Sequence, residues 1–129
     1  MSRGRVAAAV LAAALVVGAC GDPLRPFEPQ VANSPDNFEL QATGAIGVTL
    51  ERTYVWQNSG AQATINHSTT TENGIARLVI LDAAGVVVYD KGLLPSLTEP
   101  TLAGTPGAWQ IELILTGYTG TLNFRAQKL

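Results

Sequence analysis

The sequence predicts an all-β fold, an antiparallel β-sandwich of about seven or eight strands over residues 37–129. Two observations predict it. Apolar and polar residues alternate along most of this stretch, and turn residues such as Gly, Asn and Asp interrupt the alternation at short intervals. The length of 129 residues indicates one domain, and no window after the leader has the apolar stripe of a helix.

Two strands are predicted between residues 37 and 58. The apolar row of the first is formed by Phe38, Leu40 and Ala42. The second strand is longer, and its apolar row is formed by Val48, Leu50, Tyr54 and Trp56. Arg52 interrupts this second row on the same face.

A turn at residues 58–60 leads into a threonine-rich strand that is predicted to cover residues 61–71. Asn73-Gly74 is the strongest hairpin signal in the chain, because both central residues of a type I′ turn need positive φ. Residues 75–81 are apolar at odd and even positions alike, except for Arg77. A strand with both faces apolar is predicted to lie in the centre of a sheet.

Further strands are predicted in the last third of the chain. A turn leads into a strand at residues 86–89, and a short edge strand is expected at residues 97–102, within a proline-containing connection. The last hairpin is predicted to join strands at residues 108–116 and 121–129 through a tight turn at residues 117–120.

Two stretches of this region resemble the closing hairpin of small bacterial jelly-roll domains. They are GAWQIEL at residues 107–113 and GTLNF at residues 120–124. Pre-peptidase C-terminal modules and proprotein-convertase P-type modules are examples of such domains. The resemblance implies a jelly-roll sandwich, with an immunoglobulin-like sandwich as the other arrangement, and an accessory or binding role by analogy.

The first twenty residues have the layout of a bacterial secretory leader. A basic stretch at residues 3–5 precedes an unbroken apolar segment at residues 6–17. The run LVVGAC at residues 15–20 resembles the lipobox of bacterial lipoproteins. This resemblance implies that a signal peptidase cleaves between Ala19 and Cys20, the only cysteine, and that Cys20 carries a diacylglyceryl group and a further fatty acyl chain such as palmitate.

Other interpretations of the leader are an ordinary signal peptide with Cys20 as an incidental thiol, a transmembrane helix and a buried core helix. An apolar helix of about 12 residues rises only about 18 Å, against a hydrocarbon core of about 30 Å. The basic start and the prolines that follow argue against a core helix. The prediction is therefore a lipid-anchored protein of the cell envelope. In enterobacterial lipoproteins, an aspartate directly after the lipidated cysteine favours retention in the inner membrane. Gly21 occupies that position here, so the outer membrane is the expected location.

Residues 20–36 are predicted to tether the lipidated cysteine to the domain. Four of the seven prolines lie here, and proline fixes φ and favours extended geometry in the residue before it. The predicted organisation is thus a helical leader over residues 1–19, the tether over residues 20–36 and a β domain over residues 37–129. Phe27 and Val31 are the tether residues that can fold back onto the domain.

The charge of the chain gives no indication of a nucleic-acid partner. Acidic residues outnumber basic ones by 10 to 8, and two of the basic ones, Arg3 and Arg5, lie in the leader. A nucleic-acid binder needs a basic face. The predicted membrane contact is the lipid on Cys20, and the remaining partner is expected to be an envelope protein or a glycan.

Few residues are candidates for chemistry. His67, the only histidine, is predicted on an inward row near a strand end. A catalytic histidine needs a nucleophile and an orienting acid, and Ser68 and Thr69 are its neighbours in sequence, where successive side chains of a strand point to opposite faces. The sequence therefore predicts a structural histidine, no catalytic residue, no zinc and no cofactor. Asp82 and Asp90 are the candidate calcium ligands, with Asp82 expected first as a turn residue.

Flat aromatic side chains raise the question of sugar binding. Trp56 and Trp109 each lie on the same strand face as aliphatic residues, which favours packing in the core. Tyr118 lies in the predicted Gly-flanked turn and is expected to be exposed. Tyr118 and Trp56 are the candidate ligand-binding residues, although one exposed tyrosine does not form a platform.

These observations predict a lipid-anchored, extracytoplasmic β-sandwich that acts as a non-catalytic binding, interaction or structural module. One alternative is a carbohydrate-binding module, which requires Trp or Tyr on an exposed face. Another is a small hydrolase or a regulator of an envelope peptidase, and a hydrolase requires at least two titratable groups that converge with His67 in one pocket. An interaction module requires an uncovered apolar patch or an open strand edge.

Overall fold

A computed structural model describes residues 22–129. The predicted leader, the cleavage position at Ala19 and the lipidation position at Cys20 lie outside the described residues. The described chain consists of a 3-10 turn, Arg25–Phe27, and the strands β1 (Gln30–Ser34), β2 (Asn37–Asn58), β3 (Ala63–His67), β4 (Thr70–Leu81), β5 (Val87–Gly92), β6 (Leu97–Pro100) and β7 (Gly107–Lys128). Every strand pair is antiparallel, so the predicted all-β class is confirmed. Within residues 22–129, no helix has the length and apolarity to cross a membrane.

The two longest strands, β2 and β7, each contribute to both sheets of an antiparallel β-sandwich. The first sheet has the order β1, first half of β2, second half of β7, β3 and β6. The second sheet has the order second half of β2, first half of β7, β4 and β5. The sheets face each other, and the ring centroids of Phe38 and Tyr54, from opposite halves of β2, lie 5.2 Å apart.

Glycines with positive φ bend both long strands where they pass from one sheet to the other. Gly44 and Gly47 in β2 have φ of 66° and 60°, and Gly117 in β7 has φ of 52°. The register between β2 and β7 shifts in this region, as it does at β-bulges, where an extra residue bends a strand. The predicted turn at residues 117–120 is therefore wrong, because these residues form a bend within one continuous strand.

The predicted hairpin at Asn73-Gly74 is also wrong. β4 runs through Gly74, which has φ of 78°, and a Cβ atom there would overlap the carbonyl oxygen of Gly117. Positive φ suits a type I′ turn and a bulge alike, so the sequence signal did not separate them. The threonine-rich strand ends at His67 instead of residue 71, because the next two residues carry the chain to the second sheet.

The core between the sheets contains both tryptophans, as their parity predicted. Trp56 and Trp109 are register partners, are fully buried, and cross at 89° with ring centroids 6.0 Å apart. Each indole N–H has a backbone acceptor: the Trp56 N–H donates to Ser34 O at 3.0 Å, and the Trp109 N–H donates to Thr105 O at 2.8 Å. These two hydrogen bonds offset the free-energy cost of burying the indole N–H groups.

The structure places most of the predicted tether within the fold. Leu24 is fully buried, Phe27 packs against the core, and β1 pairs with β2. The prediction of a tether is therefore wrong for residues 22–34. Its prolines include Pro29 and Pro35, which flank β1, and proline is tolerated beside an edge strand. The prediction that Phe27 can fold back is confirmed, whereas the side chain of Val31 stays exposed.

Candidate functional site: the groove between β5 and β6

β5 and β6 lie on the same side of the sandwich. β5 is the edge of the second sheet, and β6 is the edge of the first. A groove of about 320 Å³ lies between them; it is lined by Val87, Val88, Tyr89, Asp90, Lys91, Glu99, Pro100 and Leu102. We call it the β5–β6 groove.

Four titratable side chains meet beside this groove and form what we call the His67 cluster. His67 Nε2 lies 2.7 Å from the phenol oxygen of Tyr89. The Tyr89 hydroxyl donates to Glu99 Oε2 at 2.7 Å, and Lys91 Nζ lies 2.6 Å from the same carboxylate oxygen. The cluster thus connects β3 and β6 of the first sheet to β5 of the second.

The hydrogen bonds of His67 assign its tautomer. The backbone N–H of Leu94 donates to Nδ1 at 3.1 Å, so Nδ1 carries the lone pair and the proton of the neutral ring sits on Nε2. That Nε2–H donates to the oxygen of Tyr89, which in turn donates to Glu99. Because His67 is 2% exposed and both ring nitrogens are occupied, the imidazole offers neither a lone pair nor a proton to the groove.

The surroundings keep the imidazole neutral and the carboxylate charged. Burial lowers the pKa of His67, although the negative charge of Glu99 opposes this. The hydrogen bonds from Lys91 and Tyr89 hold the pKa of Glu99 below its usual range. Burial, and then the hydrogen bond to Glu99, raise the pKa of the Tyr89 phenol well above its usual range. At neutral pH the cluster is therefore a neutral imidazole, a neutral phenol and an ion pair.

The prediction that His67 faces inward near a strand end is confirmed, since it is the buried last residue of β3. Tyr89 and Glu99 converge with His67, but the groove is lined by Tyr89 and Glu99 and not by His67. Neither sequence neighbour of His67 supplies a nucleophile to it, because the Thr69 hydroxyl donates to Asn123 O at 2.9 Å and Ser68 is exposed. The geometry of the cluster suits a structural connection between the two sheets.

The two residues predicted as ligand-binding candidates lie in the core. Trp56 and Tyr118 are fully buried, so the expected exposure of Tyr118 is wrong. The Tyr118 hydroxyl donates to Thr70 O at 2.6 Å, and burial raises the pKa of Tyr118 to about 12. Tyr118 is buried because β7 continues through residues 117–120. Across residues 22–129, every aromatic side chain is buried or half-buried, so no flat ring is presented to a sugar.

The two candidate calcium ligands, Asp82 and Asp90, make structural contacts. The Asp82 carboxylate accepts three backbone hydrogen bonds, two from its own turn at 2.9 Å and one from Thr105 at 2.8 Å. The Asp90 carboxylate receives two hydrogen bonds from Arg77, at 2.8 and 2.7 Å. Within the described part of the chain, no group of three or more His, Cys, Asp or Glu residues is placed to hold a metal ion.

Exposed apolar side chains border the β5–β6 groove. Leu102 is 70% exposed and Val87 is 48% exposed. Among the described residues, β5 pairs with β4 alone. Its other edge accepts one backbone hydrogen bond, from Leu102 N–H to Val88 O at 3.0 Å. No local pattern in the sequence indicates this groove, because it depends on how two edge strands from different sheets meet.

No protein-family model and no curated protein matches the chain. Among solved structures, the chain is similar to the C-terminal CBM6 of LamC, a marine laminarinase from Zobellia galactanivorans. The identity is 12% over 78% of this chain and 89% of that chain, with a TM-score of 0.41. A similarity this distant carries no argument about a ligand.

Proposed function

We propose that the protein is a lipid-anchored, extracytoplasmic lipoprotein whose β-sandwich is a non-catalytic interaction module of the cell envelope. The lipobox-like run that ends at Cys20 carries the proposal of lipid anchoring. The β5–β6 groove, with its apolar border and the open edge of β5, supports a role in binding another protein. The outer membrane is the proposed location, on the strength of Gly21.

Metabolic labelling with an alkyne analogue of palmitate tests the anchor. The wild-type protein is expected to incorporate the label and to partition into the detergent phase, and globomycin is expected to cause the longer, uncleaved form to accumulate. Cys20→Ser abolishes labelling. The control is the double variant Cys20→Ser/Ser59→Cys, which keeps one exposed thiol outside the lipobox and is expected to stay unlabelled. An unlabelled wild-type protein contradicts the proposal.

A role without catalysis is supported by the state of the His67 cluster. Both nitrogens of His67 are hydrogen-bonded, and the Glu99 carboxylate is paired with Lys91. General acid–base catalysis needs a group that can exchange a proton with a substrate. In the cluster, the atoms that could bind or release a proton are hydrogen-bonded within the protein instead.

A protein partner is favoured over a glycan by the side chains at the surface. Sugar rings stack on exposed aromatic faces, and those of the described residues are buried or half-buried. A photo-crosslinking amino acid at Leu102 is expected to join the protein to a discrete envelope protein, and Leu102→Asp is expected to abolish copurification of that protein. Val55, 59% exposed on the other side of the molecule, is the matched control position. Equal crosslinking from both positions contradicts a site at the groove.

A further inference from the structure

We propose that the β-sandwich rests directly on the phospholipid headgroups, with the side closed by residues 22–28 turned toward the bilayer. This inference rests on the proposed lipidation of Cys20 and adds the orientation of the domain. It follows from the way that residues 22–28, which we call the N-terminal plug, are fixed to the sandwich.

The N-terminal plug is held by an apolar contact and by hydrogen bonds. Leu24 is fully buried in the core, and Phe27 packs against it. The backbone N–H of Phe27 donates to Leu24 O at 2.9 Å and closes the 3-10 turn. Asp22 Oδ1 accepts a hydrogen bond from the backbone N–H of Leu24 at 3.1 Å. The plug therefore packs as part of the domain from Asp22 onward.

An ion pair fixes the first residue of the plug. Arg52, which interrupts the inward apolar row of β2, donates from Nη2 to Asp22 Oδ1 at 3.2 Å. Burial opposes the charge of Arg52, but hydrogen bonds to Asp22 and Tyr54 and the charge of Asp22 outweigh it and raise its pKa. The inward position of Arg52 thus has a structural reason, since its charge is compensated by the plug.

The covalent distance from the plug to the anchor is short. Gly21 alone separates Cys20 from Asp22. Two Cα–Cα steps span at most about 7 Å. The glycerol of a diacylglyceryl cysteine lies at the level of the lipid headgroups. Because Asp22 is fixed to Arg52, the domain has no free tether on which it could stand away from the membrane.

The position of the plug determines which side of the sandwich faces the bilayer. Arg52 lies in the half of β2 that forms an edge of the second sheet, and β1 forms the same edge of the first. β5 and β6 form the opposite edges. With strands about 4.8 Å apart, the β5–β6 groove is on the order of 15 Å farther from the bilayer than the plug. The groove therefore faces away from the lipid and stays accessible to a partner.

The exposed surface of the plug carries one cation and one carboxylate, Arg25 and Glu28. Arg25 is exposed, and among residues 22–129 it forms no ion pair. A guanidinium binds phosphate through two parallel hydrogen bonds. Its neighbours Pro23 and Pro26 are exposed and uncharged. The plug thus offers one cation to lipid phosphates beside the anchored residue, and its orientation toward the bilayer rests on the short covalent link to Cys20 rather than on net charge.

The single cysteine makes the orientation measurable without relying on lipidation in the cell. The chain from Cys20 to Leu129 contains every residue of the described fold, and its thiol can be coupled to a maleimide-bearing phospholipid in nanodiscs. Some lipids carry a nitroxide in the headgroup, which broadens the NMR signals of nearby amides. The strongest broadening is expected at residues 22–28 and Arg52, and clearly weaker broadening at Tyr89 and Leu102.

The matched control contains a long Gly-Ser insertion between Gly21 and Asp22, which restores the missing tether without changing the fold. Its broadening is expected to be weak and evenly distributed. The orientation is overturned if the wild-type chain shows the same even pattern, or if the signals of the β5–β6 groove broaden most. Absence of palmitate labelling in cells would contradict the proposed lipid anchor. An even broadening pattern would contradict only the proposed orientation of the domain.

Discussion

His67 and Tyr89 are joined by a hydrogen bond of 2.7 Å between the imidazole Nε2 and the phenol oxygen. The bond connects the two sheets, because His67 ends β3 and Tyr89 lies in β5. On the opposite side, Asp22 and Arg52 hold the N-terminal plug against β2. Each open side of the sandwich is thus closed by a polar contact over an apolar core, in a chain with no cysteine after residue 20 to form a disulfide.

Removing the Tyr89 hydroxyl is expected to destabilise the domain. Tyr89→Phe leaves the buried Nε2–H of His67 without an acceptor and takes a donor from Glu99. An unsatisfied buried donor costs about 1–3 kcal/mol of the free energy of unfolding. Urea denaturation of Tyr89→Phe, Glu99→Gln and the double variant measures this. The two losses are expected to be non-additive, and strict additivity would show that the three groups do not act as one network.

The free energy of unfolding is expected to fall as the pH drops from about 7 toward 5. Burial lowers the pKa of His67 in the folded protein below its ordinary value of 6.5. Below that value the unfolded chain binds a proton that the folded chain excludes, so stability is lost, by at most about 1.4 kcal/mol per pH unit. The carboxylates with lowered pKa, such as Glu99, start from ordinary values near 4 and contribute only at lower pH.

The variant His67→Gln isolates this effect. It is less stable at pH 7, since the cluster is disturbed, but its stability is expected to be nearly constant between about pH 7 and 5. Denaturation midpoints in guanidinium chloride at several pH values provide the comparison. An identical pH slope in the wild type and in His67→Gln would assign the dependence to other groups.

Two leucines test whether the N-terminal plug belongs to the fold. Leu24 is fully buried, whereas Leu102 is 70% exposed. Leu24→Ala is expected to cost about 2–5 kcal/mol, because it leaves a cavity between the sheets. Leu102→Ala changes stability by no more than about 0.5 kcal/mol. Thermal unfolding of both variants gives the difference, and equal midpoints would mean that residues 22–28 do not pack as described.

Two glycines with positive φ test the close approach of β4 to the bend in β7. Gly74 and Gly85 have similar φ, 78° and 81°, but a Cβ at Gly74 would overlap the backbone of Gly117, whereas a Cβ at Gly85 meets open space. Gly85→Ala is expected to cost about 1–2 kcal/mol from φ alone. Gly74→Ala must also separate β4 from β7 and is expected to cost clearly more. Urea denaturation distinguishes the two, and equal losses would argue against the close approach at Gly74.

The sequence predicted the fold class and much of the core, because inward rows are local patterns of period two. Phe38, Leu40 and Trp109 are buried as their parity indicated. It did not distinguish turns from bulges, since the positive φ of a glycine such as Gly74 serves both. These errors led to two predicted hairpins that are in fact continuous strands.

The candidate site was harder to predict than the fold. The inward position of His67 is confirmed, but its hydrogen bond to Tyr89 joins residues 22 positions apart in the chain, in strands of different sheets. Leu24 was missed because it lies among prolines without any periodic pattern. A contact between non-neighbouring strands leaves no local signal in one sequence.

Mass spectrometry of the native polypeptide from purified envelopes tests the central claim most directly. We expect a chain that begins at Cys20, heavier than the polypeptide from Cys20 to Leu129 by the mass of a diacylglyceryl group and an amide-linked acyl chain. A chain that retains the leader, or one that begins near Cys20 with an unmodified thiol, would contradict the account.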